Sequence, residues 1–178
     1  MAHAIVRLDK VRSAYVGHLY DVVHSADMDN GNVVKIGTNV TGQRDLFNVT
    51  VPSAGDGSLY LVASPEIIYD QTTTKAGALE NFYIPAGTAA RVYDIARGDI
   101  FSVTYDGLTL LGTDAVKGNF VVAQAGLKLK EATSTTTEKF VGKIIDVEVL
   151  GTTTLIGQAG SIARINKYVV IQVVKNEA

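Results

Sequence analysis

The sequence predicts an all-β protein, a small barrel or sandwich, and three observations carry that prediction. Valine and threonine are abundant, glycine occurs 17 times and proline only 3 times, the profile of strands joined by glycine turns. Short apolar stretches recur along the whole chain at spacings suited to a barrel or sandwich. In Asp99–Tyr105 the residues Phe101, Val103 and Tyr105 alternate with Ile100, Ser102 and Thr104, the period of two that a half-buried strand requires.

Taken in order, the first strand candidates are Ile5–Val11, Val16–Val23, Asn32–Gly37, Leu46–Val51, Leu59–Ala63 and Ile67–Tyr69. Ala90–Ile95 and Asp99–Tyr105 follow, joined by a tight turn at Arg97-Gly98, and then Leu108–Leu111, Phe120–Ala123, Leu127–Glu131, Val141–Val149 and Ala163–Val174. Asp29-Asn30-Gly31-Asn32 is a hairpin signal, because Asn-Gly tolerates the positive φ of a type I′ turn. Asp70–Asn81 reads as an exposed polar loop with a short helix over Lys75–Asn81, and Glu131–Lys139 as a threonine-rich protruding loop. The last two strands carry the best core pattern, with Ile145, Val147, Ile171 and Val173 expected inside. Lys167 interrupts the apolar face of Ala163–Lys175 and is expected near a strand end or bulge. Val169-Val170 and Val173-Val174 put apolar side chains on both faces, which requires a central strand or one covered by a partner.

At 178 residues the chain is read as one β-rich domain, 1–178, or as two β subdomains meeting near residues 70–82. A chain of this length buries roughly two-thirds of its unfolded surface, so it needs no disulfide. With no cysteine there is neither a disulfide framework nor a thiolate zinc site, and folding in a cytoplasm fits. A net charge of −2 supplies no broad basic field for nucleic acid. Neither a signal-peptide core nor an apolar run of membrane-spanning length is expected.

No residue set asks for catalysis, and no metal or organic cofactor is expected. His3, His18 and His24 are too dispersed for a shared metal: His18 and His24 would lie roughly 20 Å apart on one strand. Asp27–Gly31 resembles the start of a calcium loop but lacks the later glycine and the closing glutamate, where Thr38 stands. Gly37–Gly42 has phosphate-loop glycines, but Gln43-Arg44 follow in place of Lys and Ser or Thr. Tyr60, Tyr69, Tyr83, Tyr93 and Tyr105 read as core-edge or interface residues, with a sugar-stacking platform as the alternative.

Three stretches together resemble a known group: Asp29–Gly37 (DNGNVVKIG), Leu59–Asp70 (LYLVASPEIIYD) and Phe82–Thr104 with its RVY and GDIFSVT runs. In general character they are similar to small structural proteins of tailed bacteriophages, the head decoration or minor capsid proteins. The likeness covers about the first two-thirds of the chain and brings no catalytic residues with it. It implies a cement protein that binds the exterior of the mature head and the major capsid protein, as a homo-oligomer for which a trimer is the working expectation. A phage tail or baseplate module, or a carbohydrate-binding β module, is the alternative.

The N-terminus holds the candidate partner-binding residues Ile5, Arg7, Leu8, Lys10 and Arg12. Neither face of Met1–Arg12 is cleanly apolar. The segment therefore reads either as an ordinary edge strand or as an extended arm that adds to a neighbouring subunit's sheet.

Overall fold

Strands form where the apolar runs lie, and they sort into two sheets. The computed structural model describes residues 3–69, 72, 78–155 and 161–178, with backbone alone for 152–155 and 161–164. The protein is nearly all β. The strands are β1 (Val6–Lys10), β2 (Leu19–Val23), β3 (Val33–Asn39), β4 (Leu46–Thr50), β5 (Tyr60–Val62) and β6 (Ala89–Asp94), followed by β7 (Ile100–Thr104), β8 (Leu108–Thr109), β9 (Phe120–Val122), β10 (Leu129–Ala132), β11 (Phe140–Leu155) and β12 (Ser161–Asn176). One helical turn, α1 (Arg12–Val16), separates β1 from β2. Strands β2 to β6 close a barrel in the order β2-β4-β3-β5-β6. The others form a seven-stranded sheet, β1-β7-β12-β11-β9-β10-β8.

The chain starts in the sheet, crosses into the barrel through α1, and returns between β6 and β7. The Arg97-Gly98 turn therefore joins strands of different sheets. Gly98, at φ +94°, makes the reversal, and its N–H donates to the Val173 carbonyl at 2.8 Å. The two crossings are tied together. Asp99 accepts from the N–H groups of Arg12 (3.2 Å) and Ala96 (2.8 Å), and the Ser13 hydroxyl donates to the Asp94 carbonyl (2.7 Å). In the sequence, residues 70–82 fall between β5 and β6, both strands of the barrel.

Alternation divides the barrel strands between two cores. Val34 and Val62 point into the barrel with Val22, Met28, Ile84, Ala90 and Val92. Their neighbours Val33 and Leu61 face the large sheet and pack with Phe101, Val103, Phe140, Ile144, Val169 and Ile171. β3 and β5 are buried on both faces at these positions, hence the apolar pairs Val33-Val34 and Leu61-Val62. Asn176 locks the junction: its side-chain amide accepts from the Leu59 N–H (3.0 Å) and donates to the carbonyls of Leu59 (3.0 Å) and Ile95 (2.8 Å).

Several sequence expectations need correction. Val16–His18 is not strand, because the chain turns helically over Arg12–Val16 and ends on Gly17 at φ +76°. Ile67–Tyr69 is irregular: the Ile67 N–H is turned back onto the Pro65 carbonyl at 3.1 Å and is lost to any ladder. The Asn30-Gly31 turn does not join a hairpin, since β3 pairs with β4 and β5, and Met28 bridges to Ile84. It is a buried interlock against the sheet, with Asn30 holding both the N–H and the carbonyl of Ser64. Of the helix expected over Lys75–Asn81, Leu79–Asn81 forms a 3-10 turn and 75–77 lie outside the described residues, as do 70, 71, 73 and 74 of the expected loop.

In β11 the register shifts between Ile144 and Asp146, leaving Ile145 as the extra residue of a bulge. The bulge reverses alternation, so Ile144 is fully buried and Ile145 half-buried, while Val147, Ile171 and Val173 pack in or against the core as expected. Lys167 lies on β12 a short way before Val170, the partner of Asp146 at the bulge. It pairs with Val149 in mid-strand and reaches outward to Asp114. β12, apolar on both faces over Val169-Val170, is flanked by β7 and β11. Glu131 is the last residue of its predicted strand and the first of the predicted loop. It is 2% exposed, and its carboxylate gathers the N–H groups of Leu111 (3.2 Å) and Val116 (3.0 Å) and the Asn119 side-chain amide (2.7 Å).

Candidate functional site

The N-terminal residues are used largely within the chain. β1 pairs with β7 as an edge strand of its own sheet, so the segment is not the free arm of the second reading. Ile5 is buried, and its N–H donates to the Thr104 hydroxyl at 3.0 Å. Leu8 packs against the main core. Arg7 donates to Glu148 (2.6 Å) and Ser102 (3.1 Å) and lies 4.6 Å from the centre of the Tyr168 ring. Burial alone would lower the Arg7 pKa. The hydrogen bond with Glu148 and the charges of Asp9 and Glu148 outweigh it, so the net shift is upward. Lys10 and Arg12 are exposed, and they are the members of the set free to meet a partner through their side chains.

A second feature lies at the far ends of β11 and β12. β11 and β12 are each 16 residues long, but their outer neighbours cover only their inner halves: β9 pairs with Val141–Lys143 and β7 with Tyr168–Gln172. Among the described residues, Leu150–Leu155 and Ser161–Asn166 pair only with each other. The result is a two-stranded ribbon running roughly 20 Å beyond the sheet at 3.4 Å per residue. At its root Val149 is 60%, Leu150 46% and Ile165 56% exposed. Lys167, also at the root, is hydrogen-bonded to Asp114, which raises its pKa. Isolated two-stranded ribbons are marginal in water, and exposed apolar residues on unpaired strands invite a partner.

The third feature is a groove of about 540 Å³ on the outside of the barrel. Its floor is the outward face of β2 and β6, where Asp21 and Arg91 stand directly opposite each other. One wall runs from Pro65 to Tyr69 and the other from Asn81 to Pro85. Tyr69 is 93% exposed. Tyr83 is held by stacking on His3, with ring centres 5.0 Å apart and planes at 21°, and His3 is itself bonded to Asp29 at 2.7 Å. Tyr60 instead packs at the barrel core with Tyr20 and Phe47, while Tyr93 and Tyr105 pack against the main core.

The three histidines stay apart in role. His3 serves the Tyr83 wall, His18 is exposed just before β2, and the His24 ring sits beside the Ala26 backbone. Among the described residues no group of three or more His, Asp or Glu side chains converges as a metal site, and no helix is long and apolar enough to cross a membrane. The class that the fold defines is therefore a small all-β protein, a closed five-stranded barrel packed on a seven-stranded sheet. No family model, no curated protein and no solved structure matches the chain.

The ribbon had one faint signal in the sequence. Gly151-Thr152-Thr153-Thr154 carries no large apolar side chain, as expected where a strand has left its core. The groove had less, because its walls come from segments on either side of residues 70–77 and its floor from two strands far apart in sequence.

Proposed function

We propose that this chain is a structural assembly protein, a bacteriophage capsid decoration or cement protein. In this reading it folds in the host cytoplasm, binds the exterior of the mature head through the major capsid protein, forms a homo-oligomer such as a trimer, and performs no catalysis. The observation that carries the reading is the β11–β12 ribbon. Among the described residues Leu150–Leu155 and Ser161–Asn166 pair only with each other, and the ribbon exposes Val149, Leu150 and Ile165 at its root. A subunit of a larger assembly supplies what such a ribbon lacks: a strand edge to pair with and a surface to cover its apolar side chains. The resemblance of Asp29–Gly37, Leu59–Asp70 and Phe82–Thr104 to phage head proteins gives the kind of assembly. Binding only the expanded shell would stabilise that state by mass action.

The test is to mix purified protein with expanded heads and with unexpanded shells of the same phage, and to locate it by cryo-electron microscopy. Saturable density on the outside of expanded heads is expected. In a second protein Leu150–Asn166 is replaced by an Asn-Gly turn between the paired residues Val149 and Lys167. This variant should keep the melting temperature of the body and lose the density. No density for the intact protein, or full decoration by the truncated one, would remove this reading.

A further inference from the structure

We infer that the groove on the barrel wall is a binding site for a neutral saccharide, a site that goes beyond the assembly reading and stands without it. The charges on its floor are balanced. Asp21 and Arg91 face each other across β2 and β6 in direct register, which puts their Cβ atoms roughly 5 Å apart, and both are exposed. Among the described residues neither side chain has a hydrogen-bond or ion-pair partner. An anionic ligand would meet the Asp21 carboxylate and a cationic one the Arg91 guanidinium. A wholly apolar ligand would strip water from both charges without replacing it. A polyol satisfies both, because one hydroxyl donates to a carboxylate while its neighbour accepts from a guanidinium.

The walls supply the other half of sugar chemistry. Pyranose rings present an apolar C–H face, and tyrosine rings offer a flat surface with a polar tip. The exposed Tyr69 rises from one wall. On the other, the Tyr83 ring is oriented in advance by His3, which Asp29 fixes in turn. Holding a ring before the ligand arrives lowers the ordering cost of binding. A volume of about 540 Å³ accommodates a small ligand, within the usual range for such sites.

The experiment uses the full chain alone, without capsids, so its outcome is separate from that of the decoration test. Cellotetraose, chitotetraose, maltotetraose and a mannotetraose are titrated into the ¹⁵N-labelled protein, with a proline-rich peptide as the contrasting probe. At least one tetrasaccharide should saturably shift the amides of Tyr83, Ala89 and Arg91, with a Kd between about 10 μM and 1 mM. Tyr69→Ala and Arg91→Ala should each weaken that binding by about tenfold or more, with spectra otherwise unchanged. Tyr15→Ala, at a position 78% exposed on α1, should leave it unaltered. Failure of all four sugars at about 10 mM, binding that survives both groove variants, or binding of the peptide alone would each overturn the proposal.

Discussion

Arg7 and Glu148 stand on strands three places apart in the large sheet, yet their side chains meet at 2.6 Å. The arginine crosses Ser102 on β7 and the ring of Tyr168 on β12 to reach the carboxylate on β11, and Tyr168 and Glu148 are direct cross-strand partners. The edge strand is thereby tied to the root of the ribbon by one side chain. Both partners are partly shielded, at 32% and 40% side-chain exposure, so salt should screen the pair less than an open surface pair. A double-mutant cycle with Arg7→Met and Glu148→Gln should give a coupling of about 0.5–1.5 kcal/mol in denaturant melts. A coupling indistinguishable from zero would show that the contact is geometric only.

Gly31 tests the interlock between barrel and sheet. Its φ is +87°, and a Cβ there would sit 2.5 Å from the Val103 Cγ2. Gly87 has a similar φ of +74° with nothing within 4 Å. Gly87→Ala should therefore cost only backbone strain, about 1–2 kcal/mol. Gly31→Ala should add overpacking to that strain, for a total of about 2–4 kcal/mol. Equal losses in urea melts would mean that Val103 moves aside freely.

The β11 bulge makes neighbouring isoleucines unequal. Ile144→Ala should cost about 3–4 kcal/mol, because the side chain is fully buried. Ile145→Ala, at the half-buried bulge position, should cost about 1 kcal/mol. The reverse ranking in denaturant melts would restore the unbroken alternation that the sequence suggests.

Alkali should destabilise the fold through two tyrosines. Burial raises the pKa of Tyr60, with further upward contributions from Asp94 and Tyr20. Burial also raises that of Tyr168, against the lowering effect of Arg7. Both hold their protons more tightly folded than unfolded. Their contribution is thus complete below the ordinary tyrosine value near 10.0 and is lost as pH rises through the folded values. Urea midpoints should fall above about pH 10, and Tyr60→Phe should make the fall shallower. A slope unchanged in Tyr60→Phe would show that Tyr60 ionises freely in the folded state.

What the sequence determined by itself was local: the β class and most strand positions, because alternation and glycine turns act over a few residues. Ile171 and Val173 were recognisable as core for the same reason. The tertiary structure decided which strands share a sheet. Ala89–Asp94 and Ile100–Thr104 look like a hairpin, but their apolar faces belong to different cores, and the turn between them carries the chain from barrel to sheet. It also decided that Ile5 is buried beside Thr104 and that Arg7 is engaged by Glu148, which a mixed apolar and charged N-terminus leaves open. Neither candidate interaction surface is a local property. Asp21 and Arg91 come together only through barrel closure, and the ribbon exists only because β7 and β9 stop pairing before β11 and β12 end. The reach of a neighbouring strand is set by long-range pairing, and no short sequence pattern encodes it.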